Sequence, residues 1–369
     1  MSFSLVKLMF PSREIVGIDI GSYAVKIVCF AEDKKKIRLK DWGYIPLSIK
    51  SETPPEEKKA IISQEIRNYL KKKGIQAKYA ATSISGNAVI VRYVKLPKLA
   101  RKELALTLNV EAEPFIPFDI KDVNLTYFVL NDVMEEGQPK METVLVAAKK
   151  DAVMDKIDIL SDAGLDPLII DVDSFALETL CGQLFPQPDA NAALILNIGH
   201  KVTNLSIVCQ GGTRVVRDIF IAGVTFEKAV QKALKTDAPG AGAEALKRSR
   251  GLLVSDEDKE AAIAAFDKEG VAVSKAAAGV LKDLHTEVSR SIDFYLSQGV
   301  DLSISRIMLS GGIANLGNIA KFMSGEFKVP VEVVNPFSFL PDGGNIPKEV
   351  LPSLAVAAGL ALRKLKDWE

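Results

Sequence analysis

The sequence predicts an α/β protein built as two related lobes, and a repeated pattern carries that prediction. Val16-Gly-Ile-Asp-Ile-Gly-Ser-Tyr-Ala-Val-Lys-Ile-Val28 is an apolar run that stops at Asp-Ile-Gly, turns through small or polar residues and resumes as β-branched alternation. About half a chain later, Ile195-Leu-Asn-Ile-Gly-His-Lys-Val-Thr-Asn-Leu-Ser-Ile-Val208 repeats it, with Asn197 where the first copy has Asp19. Each reads as a buried strand, a tight glycine turn and a returning strand. A third segment, Ile307-Met-Leu-Ser-Gly-Gly-Ile-Ala-Asn-Leu-Gly317, reads as a strand, a Gly-Gly turn and a helix ending near Phe327.

The bulk numbers agree with two lobes. A chain of 369 residues exceeds one ordinary core. Lys+Arg and Asp+Glu are equal at 47 each, so no global field draws the chain to nucleic acid. Cys29, Cys181 and Cys209 are widely scattered, and two of them continue strand patterns, which suits buried free thiols in a reducing compartment. Metal ligation by cysteine and histidine is not expected, because no CxxC occurs and His200 and His285 are the only histidines. No run reaches the length of a membrane span and no signal peptide is recognisable, so a cytoplasmic chain is expected. The apolar patch Leu5 to Phe10 reads as an arm packed on the body or a neighbour.

Taken in order, Ile37 to Pro46 extends the first hairpin as a third strand. Pro54-Pro55 opens a helix that runs to Lys73 and stops at Gly74, and Tyr79 to Ser85 returns as a strand. From Gly86 to Asp166 the pattern becomes strand, helix, two strands, helix, strand. Its first helix is Arg101 to Glu113; strands Val123 to Leu130 and Thr143 to Ala148 flank a polar loop. Asp151 to Ala163 is its second helix, with Asp151 as N-cap and Gly164 as stop. This inserted α+β module lacks a cluster of nucleophiles, which favours an interaction surface. Leu168 to Glu178 leads from strand into helix, Gly223 to Leu234 is a helix, and a long Ala/Lys/Glu-rich helical stretch is expected to run to Gln298.

The expected boundaries are 13–85 and 167–188 for the first lobe core, 86–166 for the module, 189–240 and 300–352 for the second lobe core, 241–299 for a helical subdomain, and 353–369 for a closing helix.

Glycine turns let backbone N–H groups approach phosphate oxygens without an intervening side chain. Gly21-Ser22-Tyr23 and Gly199-His200-Lys201 suit that role, Lys26 can reach a phosphate, and Asp19 at a strand end can order a hydrated Mg²⁺. Neither a Walker lysine motif nor a GxGxxG fingerprint occurs at these turns, which argues against P-loop and Rossmann chemistry.

The two hairpins, the helix after Asp171-Val-Asp173, the Ser310-Gly-Gly312 turn and the helix Ser353-Leu-Ala-Val-Ala-Ala-Gly359 resemble, in order, the five motifs of the actin-like ATPase superfamily. Within it, Glu111-Ala-Glu-Pro-Phe-Ile-Pro-Phe118, Glu244-Ala-Leu-Lys247 and Val329-Pro-Val-Glu-Val-Val-Asn-Pro-Phe337 are similar to the PilM family of type IV pilus assembly proteins. The resemblance implies an FtsA-like arrangement, with the module inserted in the first lobe and ATP with Mg²⁺ in a cleft flanked by the lobes. It assigns Asp19 to the metal, and Gly21, Ser22, Tyr23 and Lys26 to phosphates on one side. Asn197, Gly199, Thr203 and Asn204 take the other side, with Gly223 bordering the nucleotide, Glu244 and Lys247 on the adenosine helix, and Gly311 and Gly312 at the adenosine turn.

Asp173 is the nearest match to the family's catalytic carboxylate, with Asp171 open as an alternative. Asn197 stands where many superfamily ATPases carry aspartate; it keeps the shape but loses the charge, so weak or absent hydrolysis is expected.

The partner implied is the N-terminal peptide of the inner-membrane protein PilN, gripped between first lobe and module. Pilus motor ATPases, the platform protein and further copies of the chain stay open as partners. Two other readings stay open as well: an active actin-like ATPase or small-molecule kinase, and an FtsA-like filament-forming protein.

Overall fold

The computed structural model describes residues 15–33, 36–50, 52–186, 191–238, 240–249, 251–298, 302–341, 343 and 345–363. The apolar patch Leu5 to Phe10 lies outside them. The chain divides into two compact units, one from 1–83, 155–187 and 334–369, the other from 84–154 and 188–333.

In the first unit, β1 (Ile15–Ile20) pairs antiparallel with β2 (Ala24–Asp33), which pairs antiparallel with β3 (Lys36–Pro46). On its other side β1 pairs parallel with β4 (Tyr79–Ile84), and β8 (Asp166–Val172) completes the order β3-β2-β1-β4-β8. Strand alternation splits β1 between two faces. Val16 and Ile18 join Ile66 and Leu70 of α1 (Pro55–Lys73) in one core, where Ile159 and Leu160 of α3 (Lys150–Asp162) also pack.

Gly17 faces the other way, against α10 (Ala355–Leu362), a helix whose run Ala-Val-Ala-Ala-Gly-Leu-Ala-Leu is almost wholly buried. The fit is backbone to backbone. A Cβ on Gly17 would lie 2.2 Å from the Ala357 carbonyl oxygen, and one on Gly359 would lie 1.9 Å from that of Ala176 in α4 (Asp173–Leu184). Small residues are therefore obligatory where α10 meets β1 and α4.

The second unit repeats the pattern. Here β9 (Ala192–Ile198), β10 (Thr203–Cys209) and β11 (Gly212–Ile219) form the antiparallel meander. Strand β12 (Ile304–Ser310) runs parallel to β9 and to β13 (Val331–Val333), giving the order β11-β10-β9-β12-β13. The order of the first sheet thus recurs strand for strand. Its core is filled by Phe226 of α5 (Gly223–Leu234) and by Leu281, Leu284, Val288 and Tyr295 of α8 (Lys268–Ser297). All three cysteines are free and buried.

The inserted module is a three-stranded antiparallel sheet, β5 (Val89–Pro97), β7 (Gln138–Lys149) and β6 (Val123–Glu135), in that order. Leu104 and Leu108 of α2 (Arg101–Ala112) pack on it with Leu96, Met141 and Leu145.

Several local expectations change. The β6–β7 hairpin is longer than the apolar runs suggested, because Glu136 and Gly137 (φ 52° and 78°) close it with a tight turn and the ladder continues to Glu135 opposite Gln138. Asp151 is not an N-cap: α3 begins at Lys150, and Asp151 accepts from the N–H of Ala152. Helix α3 is divided between the two units, with its residues from Asp155 onward in the first.

The long helical stretch breaks into α6 (Ala241–Arg248), α7 (Asp256–Ala264) and α8. Gly251 (φ 86°) makes the first break, where a Cβ would meet the Gly317 carbonyl oxygen at 2.2 Å. Ser255 and Asp267 then cap the two following helices through Asp258 N–H and Gly270 N–H.

The backbone contact at Gly359 supplies a test. Gly359→Ala should destabilise the first unit by about 1–3 kcal/mol, because its Cβ overlaps backbone that cannot yield by rotamer change. Chemical denaturation of the variant against Gly279→Ala, whose added Cβ meets nothing within 4 Å, measures it.

Candidate functional site

In each sheet a row of polar residues crosses the strands just below the glycine turn. In the first unit the register aligns Asp19 of β1 with Lys26 of β2, and Lys26 with Tyr44 of β3. Asp19 and Lys26 form an ion pair at 2.8 Å, and their side chains are 14% and 16% exposed, so the pair is largely shielded from solvent screening. Lys26 Nζ also donates to the carbonyl of Ala24 at 3.3 Å. Burial, reinforced by Tyr23, pushes the Tyr44 phenol up to about 12, so it stays neutral.

The turn itself is closed by the Gly21 N–H donating to Ala24 at 3.2 Å. A Cβ on Gly21 would sit 2.6 Å from Lys26 Nζ, so glycine leaves the space over the ion pair open. Ser22 is exposed at the tip and Tyr23 partly so.

Two further groups meet this turn. Lys156 of α3 donates from Nζ to the carbonyl of Ile20 at 3.0 Å. Desolvation holds its ammonium below the usual lysine value, against the pull of Asp19 and Asp173. Asp173 opens α4, where a carboxylate complements the helix dipole. Asp171, the alternative, is buried at 3% exposure and paired with Arg363 Nε at 2.6 Å at the end of α10. Asp19, Gly21, Ser22, Tyr23, Lys26 and Asp173 are thus collected in one unit, and Lys156 is the member that sequence reasoning missed.

The corresponding row of the second sheet aligns Ser310, Asn197, Asn204 and Asp218 across β12, β9, β10 and β11. Their side chains form one hydrogen-bonded chain. Ser310 Oγ donates to Asn197 Oδ1 at 3.2 Å, Asn197 Nδ2 to Asn204 Oδ1 at 2.8 Å, and Asn204 Nδ2 to Asp218 Oδ1 at 2.8 Å. The second carboxylate oxygen of Asp218 accepts from the Gly86 N–H.

An ionised carboxylate can only accept, so Asp218 fixes the orientation of both amides and turns the Asn197 carbonyl toward Ser310. Burial raises the Asp218 carboxyl, while the bonds from Asn204 and Gly86 partly oppose it. Asp218 was not recognised in the sequence; a lone acid in an otherwise apolar and basic strand was the available signal.

The remaining expected residues fall into two groups. Asn197, Thr203 and Asn204 are buried, and Thr203 Oγ1 donates to the Ile221 carbonyl at 2.7 Å. Their side chains are committed within the sheet rather than presented at its end. Gly199 and Gly223 close the turn against α5, with the Gly223 N–H donating to Gly199 at 2.9 Å and the Val224 N–H to His200 at 2.8 Å. His200 Nε2 lies 3.6 Å from Glu227 Oε1.

Gly311 (φ 86°) is required by geometry, since a Cβ would lie 2.4 Å from the Ile198 carbonyl oxygen. Gly312 is exposed and starts a 3-10 turn, so the helix expected directly after the Gly-Gly pair begins only at Ile319, as α9 (Ile319–Phe327). Glu244 and Lys247 have their backbone on α6, and their side chains lie outside the described residues.

A family model described as type IV pilus assembly protein PilM matches residues 17–365. Among solved structures, the chain is similar to the PilM-PilN type IV pilus biogenesis complex, with 28% identity and a TM-score of 0.78 over 95% of this chain and 98% of that one. It is also similar to the ethanolamine utilization protein EutJ from Carboxydothermus hydrogenoformans, with 13% identity and a TM-score of 0.53 over 96% of this chain and 90% of that one. The fold is that of the actin-like ATPases.

The amide chain yields a prediction. Asp218→Ala should cost about 1–3 kcal/mol, since it strips the acceptors from Gly86 and Asn204. Asp218→Asn should cost less, because a chain of amides can reverse direction. The wild-type carboxyl is raised in the folded state, so its contribution is complete below the unfolded value of 3.8 and is lost as pH rises through the folded value. Relative to wild type, Asp218→Asn should therefore gain stability as pH rises above that point, as measured by denaturation from pH 3.5 to 8.

Proposed function

Because this chain belongs to the PilM family of type IV pilus assembly proteins, we propose that it is a scaffold of the pilus machine, held at the inner membrane by the N-terminal peptide of a PilN-like protein. The observation that carries this reading is the near end-to-end similarity to a PilM seen in complex with PilN. An extended peptide docks by adding backbone hydrogen bonds and filling apolar pockets at alternate side chains. Among the described residues no helix is long and apolar enough to cross a membrane, and a membrane-anchored partner supplies that attachment.

The scaffold binds ATP with Mg²⁺ in this reading. The β1–β2 turn fits such a group: Gly21 leaves open the space a Cβ would fill, Lys26 supplies an ammonium donor, and Asp19 supplies a carboxylate for a hydrated cation. When bound, Mg²⁺ and the nucleotide bring charge neutralisation and a polarised phosphate chain.

The chain's own residues favour holding over hydrolysis. The second sheet offers an amide at Asn197, and the carboxylate in that row, Asp218, is engaged by Asn204 and Gly86. ATP then acts as a ligand that shifts the population of conformers in proportion to its differential affinity.

The test is a titration of the full chain with the N-terminal cytoplasmic peptide of a PilN-like protein, with and without Mg·ATP. Saturable binding whose affinity changes by roughly fivefold or more with nucleotide is expected. No binding in either condition would remove the scaffold reading.

A further inference from the structure

Lys156 sits in a helix that reads as an ordinary charged surface, between Asp155 and Asp158. Its surroundings are different. Ile159 and Leu160, one turn further along α3, are buried in the first-unit core, and helical spacing places Lys156 on that same inward side. Asp155 and Asp158 are drawn elsewhere, to Lys59 at 3.1 and 3.7 Å.

Among the described residues the Lys156 ammonium has one hydrogen-bond partner, the carbonyl of Ile20, and no ion pair within 4.0 Å. Ile20 is the last residue before the glycine turn. The charged groups acting on Lys156 are Asp19 from β1, Lys26 from β2, Asp173 from α4 and Asp155 from its own helix.

An ammonium has three donors, and among the described residues one protein acceptor leaves two of them for something else. Lys26 already serves Asp19 and Ala24. Desolvation penalises a cation in this position, and an anionic ligand is what would offset it.

We propose that Lys156 is a phosphate-binding residue of the β1–β2 turn, donating to the oligophosphate chain of a bound nucleotide. The proposal rests on reading that turn as a nucleotide site, and it adds a second lysine from a different element of the fold. The Ile20 carbonyl parks the ammonium beside the turn, and phosphate oxygens take up its remaining donors. Lys26 balances Asp19, while Lys156 balances charge that arrives with the ligand.

The experiment compares wild type, Lys156→Met and Lys156→Arg in the full chain. Affinities for Mg·ATP and Mg·ADP come from calorimetry, that for adenosine from ligand-observed NMR, and thermal unfolding without ligand confirms folding. Lys156→Met is expected to weaken ATP and ADP by roughly 10–100-fold while leaving adenosine unchanged, and Lys156→Arg to recover part of the loss. Unchanged ATP affinity in folded Lys156→Met would overturn the proposal. Equal losses for adenosine and ATP would overturn it as well, because they mark a structural role. Failure of the wild type to bind ATP, ADP and adenosine would instead bring down the nucleotide reading itself, and this proposal with it.

Discussion

The row of polar side chains beneath each glycine turn is the constraint on which the rest of the structure depends. Both sheets have the same strand order and the same antiparallel meander, so equivalent positions fall in equivalent registers. At the first turn the cross-strand pair is Asp19 with Lys26; at the second it is Asn197 with Asn204. One is a largely shielded ion pair. The other is an amide pair closed into a chain that ends on Asp218. The carboxylate of the second row lies on the outer strand of the meander, where Asp218 accepts from the Gly86 N–H. The same strand order thus carries two chemistries: a charged pair beneath one turn and a self-satisfied polar chain beneath the other.

What lets the first turn keep that geometry is close packing beneath it. Strand β1 is pinned by α10 at Gly17, α10 by α4 at Gly359, and the end of α10 by the buried Asp171–Arg363 pair. Each contact is short, and two of them exist only because a side chain is absent. The start of α4, where Asp173 sits, is therefore fixed relative to the end of β1 by backbone contact rather than by long flexible side chains.

The fold was legible where local pattern and tertiary role coincide. The two hairpins announced themselves because apolar alternation, a glycine turn and β-branched return are all local signals. The closing helix expected at 353–369 came from the family resemblance rather than from local pattern, and α10 lies within it at Ala355–Leu362. The break at Gly251 was not legible, since its reason is a contact with Gly317 far along the chain. Lys156 was hidden for the same kind of reason: nothing in Met-Asp-Lys-Ile-Asp distinguishes an inward lysine from a solvated one until the Ile20 carbonyl is placed beside it. Asp218 was visible as a residue but not as a participant, because the row it terminates exists only in the paired sheet. Asp171 and Asp173, alike in sequence, separate only when burial shows which one is matched to Arg363.

The pilus scaffold proposed above holds ATP at its nucleotide site rather than hydrolysing it. The most direct measurement is the identity of the nucleotide that stays with the protein. The purified chain would be loaded with Mg·ATP, freed of excess, kept at 25 °C for an hour, denatured and resolved by chromatography. The account predicts that ATP is recovered. Recovery of ADP, with phosphate released in equal amount, would contradict it.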